Sequence, residues 1–213
     1  EDSPAHRASI PTLLRRTCDG IVKCNVEMDP QIAKVRLLAT LRHDIHDARV
    51  IHAMEQIPRE LFIPPSFHHQ AYEDIPISIG EGQTISQPYI VALMTEALDL
   101  QGNERVLEVG TGSGYQAAIL SELLPRGRIV SVELIPLLAN KAKVLLRKLG
   151  YANVDVQQAG PVLGCPGQAP FDAIICSAAP AEIPSPLSPA GKIRQWTANN
   201  RIKTRPSQNC GTA

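Results

Sequence analysis

The chain has 213 residues, and its 21 basic and 21 acidic side chains cancel to a formal net charge of zero. At 44% hydrophobic residues it has enough apolar surface for one well-packed globular domain with room for a small appended segment. A balanced charge provides no overall field that attracts nucleic acid or an anionic membrane, and no run approaches the roughly 18 apolar residues of a membrane span. We therefore expect a protein that binds neither nucleic acid nor a membrane.

The five cysteines are scattered and lack the close CxxC pairing of a metal site. This favours free thiols in a reducing compartment over metal ligands. No HExxH pattern accompanies the adjacent His68 and His69, so no metal is expected. The N-terminal stretch also lacks the apolar core of a secretory signal, and together these features predict a cytoplasmic location. The cysteines are Cys18, Cys24, Cys165, Cys176 and Cys210.

The first part of the chain divides into an extension and a helical segment. Residues 1–30 show weak periodicity and are expected to form an N-terminal extension without regular structure. Helical spacing of apolar residues then predicts two helices between Gln31 and Pro58. A short strand over 75–79, a turn at 80–82 and a helix over 89–98 follow. We assign residues 31–100 to an N-terminal helical subdomain.

Strands and helices alternate over residues 101–185. Single helices between successive strands predict a mostly parallel, doubly wound sheet, which is an α/β, Rossmann-like architecture. The predicted strands are 105–109, 128–132, 153–156 and 171–175, and the predicted helices are 116–124 and 136–149.

The alternating pattern ends in a proline-rich stretch between Pro180 and Pro189. Beyond it the chain contains basic but no acidic residues and no convincing strand. A fold of this kind normally continues with further strands. Residues 186–213 are therefore expected to be a divergent or truncated tail, with the C-terminal strands missing or divergent.

The segment that carries the chemistry runs from Val106 to Tyr115, where a strand leads directly into three alternating glycines. Glycines at 110, 112 and 114 allow a turn so tight that backbone amides can approach a ligand. Glu108, inside the strand, suits a cationic ligand such as a sulfonium better than a pyrophosphate. Glu133, at the end of the next strand, can accept hydrogen bonds from both ribose hydroxyls. The pattern favours a nucleotide-like cofactor over a plain glycine-rich turn with two solvent-facing acids.

With its flanking motifs, this loop resembles the protein-L-isoaspartate (D-aspartate) O-methyltransferase family over about residues 31–184. The most specific motif is Gly82–Tyr89, and Ile57–Pro64, Ala71–Pro76 and Ala169–Ile175 are also similar. The resemblance implies a Rossmann-like S-adenosylmethionine-dependent methyltransferase. Its substrates would be the free carboxylates of isoaspartyl and D-aspartyl residues in damaged proteins and peptides, and methylation would initiate their repair. A monomer is expected.

The resemblance also assigns roles to individual residues. Ser86 corresponds to the family's active-site serine, although the same position also fits a helix N-cap. A carboxylate acceptor is already deprotonated at neutral pH, so the lack of an obvious catalytic His or Cys is consistent with this reaction. Thr84, Ile85 and Ser86 are predicted to contact substrate. The predicted cofactor-binding residues are Glu108, Gly110, Thr111, Gly112, Gly114 and Glu133.

One departure from the family weakens the cofactor prediction. The family usually has Gly-Asp-Gly after the third strand, whereas this chain has Ala159, Gly160 and Pro161. The acid that would contact the adenine amino group is missing, which would weaken binding by roughly ten- to a hundredfold. Three alternatives stay open. The first is an impaired or truncated family member, and the second is a methyltransferase with another acceptor. The third, a nicotinamide dehydrogenase, is disfavoured by the glycine spacing and by Glu108.

Overall fold

The structure, a computed structural model, describes residues 29–160, 165–177, 194–197 and 203–204, the last two ranges as backbone only. The predicted N-terminal extension, apart from its last two residues, lies outside the described residues. So do Pro161, the proline-rich stretch and most of the predicted tail. Of the described cysteines, Cys165 is half-buried and Cys176 is buried.

Within the described residues, five α-helices form where the apolar periodicity predicts them, with ends within a few residues of the predictions. The first two begin at aspartate caps, since the Asp29 carboxylate accepts the Gln31 N–H and the Asp47 carboxylate accepts the Arg49 N–H. Three short 3₁₀ helices cover Arg59–Phe62, Pro65–Gln70 and Pro166–Gln168. The α-helices are α1 (Pro30–Leu41), α2 (Ala48–Gln56), α3 (Pro88–Glu96), α4 (Tyr115–Leu123) and α5 (Pro136–Lys148).

The strands form a small antiparallel pair and a larger sheet. The pair consists of β1 (Ile77–Gly80) and β2 (Gln83–Ile85). The larger sheet has the order β5-β4-β3-β6-β7-β8, and every neighbouring pair up to β7 is parallel. This confirms the predicted α/β, Rossmann-like fold. The strands of the larger sheet are β3 (Arg105–Val109), β4 (Arg128–Glu133), β5 (Val154–Gln158), β6 (Ala173–Cys176), β7 (Arg194–Thr197) and β8 (Lys203–Thr204).

The central strand β3 is buried on both faces, as expected for a parallel sheet covered by other layers. Val106 packs in the main core with α4, whereas Leu107 and Val109 pack on the opposite face with residues of β4 and β6. The near-continuous apolar sequence of β3 follows from this double burial.

The helical segment and the sheet share one hydrophobic core. Buried residues of α1, α2 and α3 belong to the same cluster as Val106 and the apolar side of α4. Residues on both sides of the predicted boundary near 100 thus bury each other. The division into a 31–100 subdomain and a 101–185 core stays a prediction.

The structure corrects the expectation that no strand follows Leu187. Arg194–Thr197 pairs in parallel with β6, and Lys203–Thr204 pairs antiparallel with Arg194–Thr197. The sequence Arg-Gln-Trp-Thr is not an apolar run, so hydrophobic patterning missed it. Pairing at this side of the sheet is made by backbone hydrogen bonds, which do not depend on side-chain type. None of the helices in the described ranges combines the length and apolar character needed to cross a bilayer.

Candidate active site

The candidate site is a cavity at the carboxyl end of β3, at the place where the strand order reverses direction. Such a switch point is where open α/β sheets bind their ligands. The cavity encloses about 580 Å³, counting the space at its open mouth. Its lining residues are Gln83, Thr84, Ile85, Ser86, Val91, Gly110, Thr111, Gly112, Ser113, Tyr115, Gln116, Glu133 and Ser177.

The loop after β3 presents bare backbone to this cavity. Gly112 has a φ of +54°, which L side chains rarely adopt, and it belongs to the cavity wall. Gly114 has a φ of +90°, but it lies outside the lining. A Cβ at Gly114 would stand 3.1 Å from Leu146 Cδ1, so the third glycine allows α4 to pack closely on α5.

Glu133 fixes the loop at the end of β4. One carboxylate oxygen accepts the Gly112 N–H at 2.8 Å, and the other accepts the Ile135 N–H at 3.0 Å. Each carboxylate oxygen has a second lone pair, so Glu133 can still accept hydrogen bonds from two ligand hydroxyls. Its side chain lines the cavity, and the geometry is thus compatible with the predicted ribose contact.

Glu108 lies behind the cavity wall rather than in it. Its side chain is fully buried, and one carboxylate oxygen accepts a hydrogen bond from Ser131 Oγ. Ser131 Oγ lies 2.5 Å from Thr111 Oγ1, and Thr111 does line the cavity. Burial raises the pKa of Glu108 to about 8, against the opposing effect of the Ser131 hydrogen bond. A contact of Glu108 with a cofactor stays a prediction; its observed connection to the cavity runs through Ser131 and Thr111.

Ser86 lies between β2 and α3 and is half-buried. The alternative interpretation of Ser86 as a helix cap is wrong, because the N-cap of α3 is Gln87 and no side-chain bond of that residue caps the helix. Among the described residues, the Ser86 hydroxyl has no hydrogen-bond partner. It is therefore available to a ligand in the cavity.

Two side chains from earlier segments hold the Ser86 segment in place. Asp74 accepts hydrogen bonds from Gln87 Nε2 and from the Tyr89 N–H, each at 2.8 Å, and so caps the start of α3 from a distant loop. Arg59 Nη2 donates to the Ser86 carbonyl oxygen at 3.0 Å. The segment that carries the predicted catalytic serine is thus anchored at residue 86 itself and at the start of α3.

The cavity brings together seven of the predicted site residues and leaves out two, Glu108 and Gly114. The seven are Thr84, Ile85, Ser86, Gly110, Thr111, Gly112 and Glu133.

Other lining residues were missed, including Ser113, Tyr115 and Gln116, which directly adjoin the glycine motif. Ser177 follows β6, and its N–H donates to the Val109 carbonyl oxygen. The carboxyl ends of parallel strands meet at one edge, so its place beside the loop could have been inferred.

Comparisons with known proteins show which family the chain is similar to. The family model described as protein-L-isoaspartate(D-aspartate) O-methyltransferase matches residues 33–192. A protein-L-isoaspartate O-methyltransferase 1 of Syntrophobacter fumaroxidans is 52% identical over 159 residues, covering 74% of this chain and 73% of the relative. The enzyme of that name from Myxococcus xanthus is 53% identical over 156 residues, covering 71% and 73%.

Solved structures show the same fold. A protein-L-isoaspartate O-methyltransferase structure superimposes with a TM-score of 0.66 and 30% identity, covering 78% of this chain and 56% of the other. A Plasmodium falciparum structure in complex with S-adenosyl-L-homocysteine has a TM-score of 0.61 and 23% identity. The superposition covers 78% of this chain and 84% of the Plasmodium falciparum chain. At that identity it supports the fold alone.

Proposed function

Because the chain belongs to the protein-L-isoaspartate(D-aspartate) O-methyltransferase family, we propose that the cavity between Ser86 and Glu133 is its active site. Membership makes the chain an S-adenosylmethionine-dependent protein carboxyl methyltransferase that initiates repair of isoaspartyl residues. A different acceptor is not favoured. The observation that supports the site is that the serine motif and the glycine loop line one cavity.

The residues of the cavity fit the cofactor. Gly112 forms part of the cavity wall as bare backbone, and Glu133 offers acceptors for a ribose. When bound, S-adenosylmethionine supplies a methyl group activated by its sulfonium. The loop amides and Glu133 would hold the nucleoside part, and the Thr84–Ser86 side would face the acceptor.

The chain's contribution to the chemistry is orientation. An isoaspartyl carboxylate is ionised at neutral pH and needs no general base. The Ser86 hydroxyl and neighbouring backbone amides would hold this carboxylate in line with the methyl group and exclude water. The methyl ester then favours a succinimide, which reopens partly to normal aspartate.

Isoaspartyl-containing proteins and peptides are the substrates. A monomeric state, a cytoplasmic location and the absence of binding to nucleic acid or membranes stay predictions. The balanced charge supports the last of these predictions. Light scattering on the purified chain would test the monomer, since a mass of twice 23.1 kDa would contradict it.

A methyl-incorporation assay tests the function. The purified chain is incubated with labelled S-adenosylmethionine and either an isoaspartyl peptide or the same peptide with normal aspartate. We expect label in the isoaspartyl peptide alone. Equal labelling of both peptides would contradict the acceptor, and labelling of neither would contradict the activity.

The Ser86→Ala variant tests the assigned residue. Loss of one hydrogen bond to a charged acceptor should lower kcat/KM by roughly ten- to a hundredfold. Affinity for S-adenosylhomocysteine should stay unchanged, because Ser86 is placed on the acceptor side. Ser66→Ala, which removes an exposed hydroxyl outside the cavity, is the matched control. Unchanged methylation by Ser86→Ala would show that the serine has no catalytic role.

A further inference from the structure

Arg59 lies behind the cavity and contacts both of its walls. Its side chain is fully buried. Nη2 donates to the carbonyl oxygen of Ser86 at 3.0 Å, and the guanidinium carbon lies 5.0 Å from the ring centroid of Tyr115. Ser86 belongs to the acceptor side of the cavity, and Tyr115 follows the glycine loop. Arg59 therefore joins the two segments that the proposed reaction must align.

Arg59 has no direct ion-pair partner in the described part of the chain, although the carboxylate of Asp74 acts on its charge from a greater distance. Among the described residues no carboxylate forms an ion pair with its guanidinium, and both Nε and Nη1 lack hydrogen-bond partners. The adjacent Glu60 instead accepts a hydrogen bond from the Tyr72 hydroxyl. Burial lowers the pKa of Arg59, but an arginine side chain stays protonated at neutral pH. A buried cation without a counter-ion is costly to fold, so such groups are concentrated at functional sites.

The described lining of the cavity contains no arginine, lysine or histidine, and its one ionisable acid is Glu133. An anionic acceptor that enters this cavity would meet a like charge and no cation in the wall itself. Arg59 lies directly behind that wall, in contact with Ser86 and Tyr115. In a water-poor interior its field reaches the cavity with little screening.

We infer that Arg59 is a positioning and specificity-determining residue that aligns the Ser86 segment with the Tyr115 segment and selects an ionised carboxylate as the acceptor. The substrate carboxylate then brings a negative charge to the cavity side of Arg59, in addition to that of Asp74. This inference rests on the proposed function, because it presumes an isoaspartyl acceptor.

The test compares two peptides that differ only in charge. One is an isoaspartyl peptide with its free α-carboxylate, and the other carries an α-carboxamide at the same position. Dissociation constants of both are measured by calorimetry with the protein saturated with S-adenosylhomocysteine. The wild-type protein should bind the carboxylate at least about tenfold more tightly than the amide.

Two neutral variants isolate the charge. Arg59→Met keeps the apolar stem, and Arg59→Gln also keeps a donor for the Ser86 carbonyl. Both should lose most of the preference for carboxylate while binding the amide peptide and S-adenosylhomocysteine as the wild type does. Arg59→Lys keeps a charge and should retain part of the preference, with a lower kcat because the guanidinium fork is lost. Thermal midpoints should stay close to that of the wild type, because removing an unpaired buried charge also removes its cost.

Arg105→Met is the matched control. Arg105 also stacks on an aromatic ring, at 5.1 Å from the Phe171 centroid, and its Nε is also buried without a partner. It lies at the amino end of β3, outside the cavity lining. Its replacement should leave the preference for carboxylate unchanged.

The outcomes separate this inference from the proposed function. A wild-type protein that does not methylate the isoaspartyl peptide would overturn both. An active wild type whose preference survives in the folded Arg59→Met or Arg59→Gln variant would overturn the inference alone. If both neutral variants failed to fold, Arg59 would be structural and the inference would again be wrong.

Discussion

Two buried ionisable groups, Glu108 and Arg59, lie behind the cavity wall, and they differ in how the cost of their burial is relieved. Glu108 sits in β3 with one hydrogen bond from Ser131, and burial raises its pKa to about 8, so the protonated form is favoured at neutral pH. Arg59 cannot neutralise itself in this way. The fold can relieve the cost of burying the acid by binding a proton, whereas the cost of the cation remains until an anion binds.

Glu108 should make stability depend on pH. The folded-state pKa of about 8 lies above the model value of 4.5, so the folded state holds a proton that the unfolded state loses between these values. The free energy of unfolding should therefore fall as pH rises from about 4.5 to about 8, by an amount on the order of a few kcal/mol. In Glu108→Gln this contribution should disappear, which urea unfolding at pH 5 and pH 8 would measure.

Glu55→Gln, which changes an exposed acid of α2, is the control and should retain the wild-type difference between the two pH values. If Glu108→Gln and wild type lost the same stability between pH 5 and pH 8, Glu108 would not be the buried proton-binding group.

At the scale of elements, the loop between β3 and α4 uses its glycines for two purposes. Gly112 forms part of the cavity wall, and a Cβ there would meet only Ile79 Cδ1, at an ordinary 3.5 Å. Gly114 faces α5, where a Cβ would crowd Leu146 and Ala142. The loop thus separates ligand approach from helix packing within three residues.

Alanine substitutions at these two glycines should have different main effects, a loss of stability at Gly114 and a loss of S-adenosylhomocysteine affinity at Gly112. Gly114→Ala combines a left-handed backbone with overpacking and should cost about 2–4 kcal/mol of stability. Gly112→Ala has the backbone strain alone, at about 1–2 kcal/mol, but should weaken S-adenosylhomocysteine binding by at least about tenfold. Urea unfolding and calorimetry on both variants would measure this. Equal effects on stability and affinity would contradict the division of roles.

Much of the fold could be predicted from the sequence, because a near-continuous apolar run such as that of β3 predicts a strand buried on both faces. The glycine motif likewise predicted the cavity residues Gly110, Thr111 and Gly112. The cap of α3 could not be predicted, since Asp74 reaches it from a separate loop. Nor could β7, whose pairing depends on backbone bonds. Glu108 was predicted to contact the cofactor, and this stays a prediction; its link to the cavity through Ser131 and Thr111 depends on neighbouring elements and could not be predicted from the strand alone.

At the scale of the whole molecule, one core connects the N-terminal helices to the sheet, so ligand binding should stabilise the fold as a unit. S-adenosylhomocysteine at a free concentration of 100 Kd should add about 2.7 kcal/mol and raise the thermal midpoint by about 5–10 °C. Glu133→Gln should show a smaller rise at the same concentration. A rise of equal size in both proteins would exclude Glu133 from the binding site.

Gly160 offers the converse variant in the same assay. The resemblance places the family's adenine-binding acid at this position, and a Cβ added to Gly160 would meet no atom of the described residues within 4 Å. Gly160→Asp should therefore be accommodated and should tighten S-adenosylhomocysteine by about tenfold, which increases the thermal shift. Gly167→Asp, equally open but in the 3₁₀ helix Pro166–Gln168, should not. An unchanged shift in Gly160→Asp would show that adenine is not bound at this position.

The cavity also sets a condition on when the chain can bind its cofactor during synthesis. Its lining residues range from Gln83 to Ser177. Arg59 and Asp74, which lie still earlier in the chain, form hydrogen bonds that hold the Ser86 segment in place. A nascent chain that has emerged only as far as β5 has the glycine loop but lacks β6 and the wall that follows it. Cofactor binding therefore cannot protect early folding intermediates, and their survival depends on the helices and first strands alone.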